Sequence, residues 1–193
     1  MNAPEAQSST VRLFVAIDPP EAVCRALAAL PVNLRGVAWT PPHQLHLTLR
    51  FIGETPADRR ESIERALAPI RVEPFILPVE GGGAFPPKRA PRILWVGIGN
   101  GHPRLFQLRQ RIDDALLGCG LDLDVRTFHP HFTLGRCGNG CMPAVVARFV
   151  RGLEGLAGPP FRVEGFTLYR SELRPGGAVH TPLLRVALDA ATC

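Results

Sequence analysis

Two short segments carry the same pairing of an imidazole with a hydroxyl, His46-Leu47-Thr48-Leu49 and His131-Phe132-Thr133-Leu134, with the histidines 85 residues apart. In both, polar and apolar residues alternate, which is the period of a half-buried strand. Side chains i and i+2 of a strand project from one face. His46 then stands beside Thr48 and His131 beside Thr133, while Leu47, Leu49, Phe132 and Leu134 turn towards a core. Two such strands brought face to face make a symmetric site. An unperturbed imidazole pKa of about 6.5 lets one ring be neutral and the other protonated near neutral pH. One could activate an attacking oxygen while the other protonates a leaving oxygen. The threonine hydroxyls are suited to donate to phosphate oxygens where negative charge builds up. The sequence offers no acidic cluster of the kind that holds Mg²⁺. The chemistry expected is therefore metal-free and suited to a strained phosphodiester, such as a cyclic phosphate.

Other polar residues invite competing readings. His129 shares the parity of His131, and Cys137 and Cys141 follow closely, but Cys-x₃-Cys with no second pair is a poor zinc site. His129 also has no counterpart upstream, where Gln44 stands, so it is assigned a supporting role. His43, His102 and His180 read as surface or loop residues, with His180 near an end where substrate could pass. Gly81-Gly82-Gly83 lacks the Lys-Ser/Thr ending of a phosphate loop and reads as a bend. Arg59-Arg60 and Arg109/Arg111 read as solvated helix faces.

The elements that must position the two histidine strands follow from periodicity and punctuation. Residues 1–10 are small and polar, expected to be a flexible terminus. A buried strand is predicted over 11–17, then a helix to about Leu30 with Asp18 as its N-cap and prolines in its first turn. A short strand at 37–40 precedes the first histidine strand, about 44–52, ended by Gly53. A second helix is predicted from Thr55-Pro56 to about Pro69, a strand over 75–79, a loop through 81–87 and a strand over 92–98. A third helix over 103–117, the second histidine strand over 128–136 and a fourth helix from Pro143 through Leu153 come next. Two strands near 161–170 and 179–188 complete the order. Each half holds one histidine strand, which points to an internal pseudo-duplication. The predicted fold is α+β, a single domain of two pseudo-symmetric lobes whose antiparallel-rich sheets face a central groove, with helices outside.

At 193 residues the chain can bury a substantial core, roughly 70% of its unfolded surface. Its net charge is +5, and of 22 basic residues only Lys88 is lysine. Arginine forks suit phosphate, and their planes suit base stacking. Five scattered cysteines favour reduced thiols, and no apolar run reaches the ~20 residues a membrane helix needs. A cytoplasmic protein with no obligate protein partner and no cofactor is expected.

The twin motifs and their flanks resemble the 2H phosphoesterase superfamily, within it the RNA 2′,3′-cyclic phosphodiesterases, also called 2′-5′ RNA ligases. The similarity extends from Leu13-Phe14-Val15-Ala16-Ile17-Asp18 through Leu45 to Gly53, Gly83-Ala84-Phe85-Pro86, Pro91 to Trp95 and Pro130 to Arg136. The tail Leu168-Tyr169-Arg170-Ser171-Glu172-Leu173 also fits, and the similarity covers nearly the whole chain, from about Arg12 to Leu188. The resemblance implies opening of a terminal 2′,3′-cyclic phosphate to a 2′-phosphate, with His46 as proton donor and His131 as proton acceptor. Thr48 and Thr133 would bind the phosphate, and Phe51 and Arg136 would flank the terminal base. Read alone, Phe51 suits a core equally well and Arg136 a solvated strand end. With a 5′ hydroxyl in place of water, the resemblance implies that the same geometry joins RNA ends 2′-5′. The alternatives are action on another cyclic or 2′-linked nucleotide, or an RNA-end binder without catalysis.

Overall fold

The computed structural model describes residues 10–87, 90–175 and 177–189. Nine of the ten residues expected to be flexible lie outside this range; Thr10 already pairs with Pro56. The strands are β1 (Thr10–Ile17), β2 (Val37–Trp39), β3 (Leu47–Pro56), β4 (Phe75–Glu80), β5 (Gly82–Phe85), β6 (Ile93–Gly97), β7 (His131–Cys137), β8 (Ala157–Val163), β9 (Gly165–Arg174) and β10 (Gly177–Ala187). The helices are α1 (Glu21–Ala28), α2 (Arg60–Leu67), α3 (Pro103–Gly118) and α4 (Pro143–Leu153).

Eight strands form one sheet in the order β10-β9-β1-β3-β7-β6-β5, with β2 also on β7, while β4 and β8 form a separate pair. Its two four-strand halves are joined where β3 meets β7, and that junction has a single registered pair, Leu47 opposite Phe132. These halves are the two lobes. One face of both is sealed by a common core. Leu13 and Val15, Leu47 and Leu49, Phe132 and Leu134 pack with Ile63 and Leu67 of α2 and Leu105, Leu108, Ile112 and Leu116 of α3. The amphipathic spacing seen in those helices supplies the apolar stripe that covers the sheet. The opposite face is the groove.

The lobes do not follow the halves of the chain. β9 and β10 join β1 and β3, while β2 crosses to pair with β7. Antiparallel ladders impose no sequence adjacency, so the duplication suggested by the two motifs is spatial.

Several predicted boundaries shift for identifiable reasons. β3 runs through Gly53 to Pro56, because a bulge at Phe51–Ile52 absorbs the irregularity and Gly53 (φ +88°) pairs with Leu13. The predicted loop at 81–87 holds a strand, β5. There the Trp95 ring lies on Gly83 so closely that a Cβ would come 2.5 Å from Cζ2. The aromatic cover offsets the poor strand preference of glycine. After α4 the chain forms three strands where two were predicted, β8 being the addition. Asp18 does not cap α1, whose N-cap is Pro20 with no side-chain bond. Its carboxylate instead accepts from Thr167 Oγ1 (2.7 Å) and Tyr169 Oη (2.6 Å) on β9.

Candidate active site

Continuing the Leu47–Phe132 register by one residue each way sets His46 opposite Thr133 and Thr48 opposite His131. Since Leu47 and Phe132 are buried, their four polar neighbours face the groove together. The single bridge between the lobes thus sets the two motifs side by side.

Both imidazoles are held the same way. His46 Nδ1 donates to the Gln44 carbonyl at 2.7 Å and His131 Nδ1 to the His129 carbonyl at 2.6 Å. A carbonyl only accepts, so Nδ1 carries the proton in each ring and Nε2 is the atom left for chemistry. A neutral ring so held accepts a proton at Nε2; a charged one donates from it. Burial lowers the pKa of both rings below the ordinary 6.5, opposed by the carbonyl bonds; Arg136 lowers both further, and the charge of His46 adds to the lowering at His131. Asp18 acts in the opposite direction on His46.

The placement of Phe51 and Arg136 rests on a feature that alternation does not predict. Strict parity sends Arg136 to the side of Phe132. In β7 the register slips between Leu94 and Trp95, so Leu134 and Gly135 are both buried and Arg136 emerges on the exposed side. In β3 it slips between Val15 and Ala16, so Leu49 and Arg50 are both buried and Phe51 emerges opposite Phe14. Both motifs therefore contain a β-bulge at the same offset from their histidine, and each bulge turns the fifth residue after that histidine back towards the groove. Phe51 is 47% exposed, an accessible aromatic face over which Arg126 lies at 5.8 Å.

Arg50, sent inwards, is buried behind the site. Its Nε lies 3.1 Å from Asp113, its Nη1 lies 3.3 Å from Asp124 and its Nη2 donates to the Asp122 carbonyl. Arg109 joins this group through Asp113 (3.3 Å), donates to the Leu49 carbonyl (3.3 Å) and lies over Phe128 (4.3 Å). Arg109 is therefore no solvated helix charge, unlike the exposed Arg111. Together these residues tie the segment leading into His131 to α3 and to the bulge of β3.

Each histidine also stands in an aromatic surround, most of which no local motif announced. His46 packs on Phe14 (5.0 Å) and His180 (5.4 Å). His131 packs on Phe85 (5.2 Å) and Trp95 (6.2 Å). His129 is exposed and packs edge-on against Trp95 (4.6 Å) and Phe85 (5.0 Å). His180, read as a surface or loop residue, is instead on β10 beside His46; only the strand order brings it there. His43 lies in a one-turn 3-10 segment, Pro42–Gln44, and His102 caps α3 by accepting from the Arg104 amide. Cys141 Sγ donates to the Gly36 carbonyl at 2.9 Å, and Cys137 is pushed up to about 11 by burial and by Cys141.

A bent antiparallel sheet with one Nε2-presenting imidazole and one threonine from each lobe defines the class of two-histidine phosphoesterases. Comparison with known proteins makes this specific. The chain belongs to the 2′-5′ RNA ligase superfamily, whose family model matches residues 19–175. It is 37% identical over 192 residues to the RNA 2′,3′-cyclic phosphodiesterase of Thermus thermophilus, covering 92% of this chain and 90% of that one. Against the protein of the same name from Aeropyrum pernix the identity is 35% over 142 residues, 73% of this chain and 80% of the relative. The crystal structure of Escherichia coli LigT in apo form superposes with a TM-score of 0.76 at 27% identity, covering 95% of this chain and all of that one. LigT complexed with 3′-AMP gives 0.72 at 28% identity, covering 93% and 99%.

Proposed function

We propose that this protein hydrolyses RNA ends bearing a 2′,3′-cyclic phosphate to the 2′-phosphomonoester, with His46 as acid and His131 as base. The observation that carries this reading is the paired anchoring of both Nδ1 atoms, which leaves two Nε2 atoms facing one groove across the Leu47–Phe132 junction. His131 Nε2 takes a proton from water as its oxygen attacks phosphorus. The bond from phosphorus to the 3′ oxygen breaks, and His46 Nε2 gives its proton to that oxygen. The 2′ ester bond stays intact. Thr48 and Thr133 donate to the non-bridging oxygens, and Phe51 with Arg136 holds the terminal base by stacking, which suits any base. Assigning acid and base to particular strands follows the family resemblance; Asp18, which favours the charged form of His46 only, supports the same order. With a 5′ hydroxyl in place of water, the same attack on phosphorus with loss of the 3′ oxygen joins ends 2′-5′.

No helix among the described residues is long and apolar enough to cross a membrane. We place the protein in the cytoplasm, a reading supported by free thiols at Cys24, Cys119, Cys137 and Cys141. The test is turnover of an RNA ending in 2′,3′-cyclic phosphate in the presence of EDTA. The wild type is expected to release the 2′-phosphate product. His46→Ala and His131→Ala are each expected to lose about 10²- to 10⁴-fold in kcat while retaining a cooperative thermal transition. Undiminished turnover in either variant, dependence on added divalent metal, or binding without turnover would each refute the reading.

A further inference from the structure

His180 has no role in the chemistry above, yet it is built into the groove. Across the first lobe, Arg12 on β1 pairs with Ser171 on β9, and Ser171 pairs with His180 on β10. Phe14, two residues from Arg12, pairs with Tyr169, two residues from Ser171. By strand parity the row Arg12–Ser171–His180 lies on the groove face, one step beyond the Phe14–Tyr169 row that floors His46. The sheet curls so that the His180 ring comes 4.9 Å from Phe14 and 5.4 Å from His46 although β10 and β3 are separated by two strands. A tie from Gln44 Nε2 to the Ala178 carbonyl (3.1 Å) fixes this curl at the entrance to the first motif.

Two features of the row ask for a ligand. His180 Nδ1 is buried with no hydrogen-bond partner among the described residues. A buried ring nitrogen left so loses the bond it made in water, unless a bound molecule supplies a replacement. Arg12, exposed, has no carboxylate within ion-pairing distance among the described residues. Burial and the charges of His46, Arg12 and Arg136 hold the imidazole neutral, at about 4, so it offers a directed hydrogen bond instead of a charge.

We propose that the row His180–Ser171–Arg12 is a subsite for the phosphodiester on the 5′ side of the terminal cyclic nucleotide. The inference rests on the reading of His46 as the acid. If His46 protonates the 3′ oxygen, the terminal ribose lies on the first lobe, and the chain leaving its 5′ oxygen has this face to follow. A neutral imidazole N–H, a serine hydroxyl and a guanidinium fork, one strand apart, match the oxygens of one phosphodiester and the 5′-linked sugar. The preferred substrate class is then an RNA end of two or more nucleotides, above a free cyclic mononucleotide.

The experiment compares kcat/KM for adenosine 2′,3′-cyclic phosphate with that for the dinucleotide ApA ending in a 2′,3′-cyclic phosphate, in wild type, His180→Phe and Arg12→Gln. The wild type is expected to favour the dinucleotide by more than about tenfold, and each variant to cut that ratio about tenfold, the worth of one hydrogen bond to a charged group. A purely structural role for either residue would lower both substrates in parallel and leave the ratio unmoved. An unmoved ratio, or a wild type without preference, overturns the subsite while leaving the acid–base reading intact. Failure of the wild type to turn over either substrate overturns both.

Discussion

Because each Nδ1 is committed to a carbonyl, a proton at either histidine can come and go only at Nε2, and the pH profile reports those two atoms. Burial lowers both pKa values, so His131 stays in its working neutral form to a lower pH than a free imidazole would. The same lowering removes the working proton of His46 earlier as pH rises. Activity is lost on the acid side as His131 gains a proton and on the alkaline side as His46 loses one. The bell of kcat/KM is therefore expected to centre below pH 6.5. Bound phosphodiester, being anionic, favours the charged form of His46, so the alkaline limb of kcat should lie at higher pH than that of kcat/KM. Initial rates across pH in a constant-ionic-strength buffer check this, and a bell centred at or above pH 6.5 would contradict the burial argument. At this scale the motifs were legible because chemistry demanded specific residue types at a two-residue spacing. His180 was legible only as a residue near an end where substrate could pass; its place beside His46 was not, since it depends on strand pairing between distant parts of the chain.

The twin bulges are the element that makes each motif longer than it looks. Without them β3 and β7 would present only a histidine and a threonine; with them, Phe51 and Arg136 complete the face. The second bulge is held shut by Gly135. A Cβ there would lie 2.8 Å from Trp39 Cε3, 3.0 Å from Val37 Cγ1 and 3.1 Å from the Ala38 carbonyl oxygen, all on β2. Gly135→Ala is expected to destabilise by about 1–3 kcal/mol, because two side chains and a strand must shift, and to raise KM by displacing Arg136. Gly152, on α4 with open space around it, is the contrast: Gly152→Ala should stabilise by roughly 0.5–1 kcal/mol and leave KM alone. Urea denaturation and steady-state kinetics on both variants separate the two, and equal behaviour would show that the bulge tolerates a side chain. Alternation identified the strands correctly but assumed they were regular. Nothing in Thr-Leu-Arg-Phe or Thr-Leu-Gly-Arg marks a doubled buried position, because the slip is set by the partner strand.

Over the whole molecule, 22 basic residues face 17 acidic ones, and several arginines are neutralised internally, as Arg50 and Arg109 are. The remaining field acts on an anionic substrate during encounter and is screened over about 10 Å at 0.1 M salt. The KM for an RNA end is accordingly expected to rise with added NaCl while kcat, set inside the groove, stays nearly constant; a fall in kcat alone would refute this. The two-lobed plan was legible from the repeated motif, but the assignment of strands to lobes was not, because the sheet draws its first lobe from both sides of the second. That interleaving has a consequence during synthesis. All four strands of the second lobe have been made by residue 137, whereas the first still lacks β9 and β10. On a ribosome adding 5–20 residues per second, the β1 edge that will receive β9 stays bare for on the order of 10 s after β3 is complete. During that interval the floor beneath His46 is unfinished, and β1 presents an open edge of unpaired backbone groups.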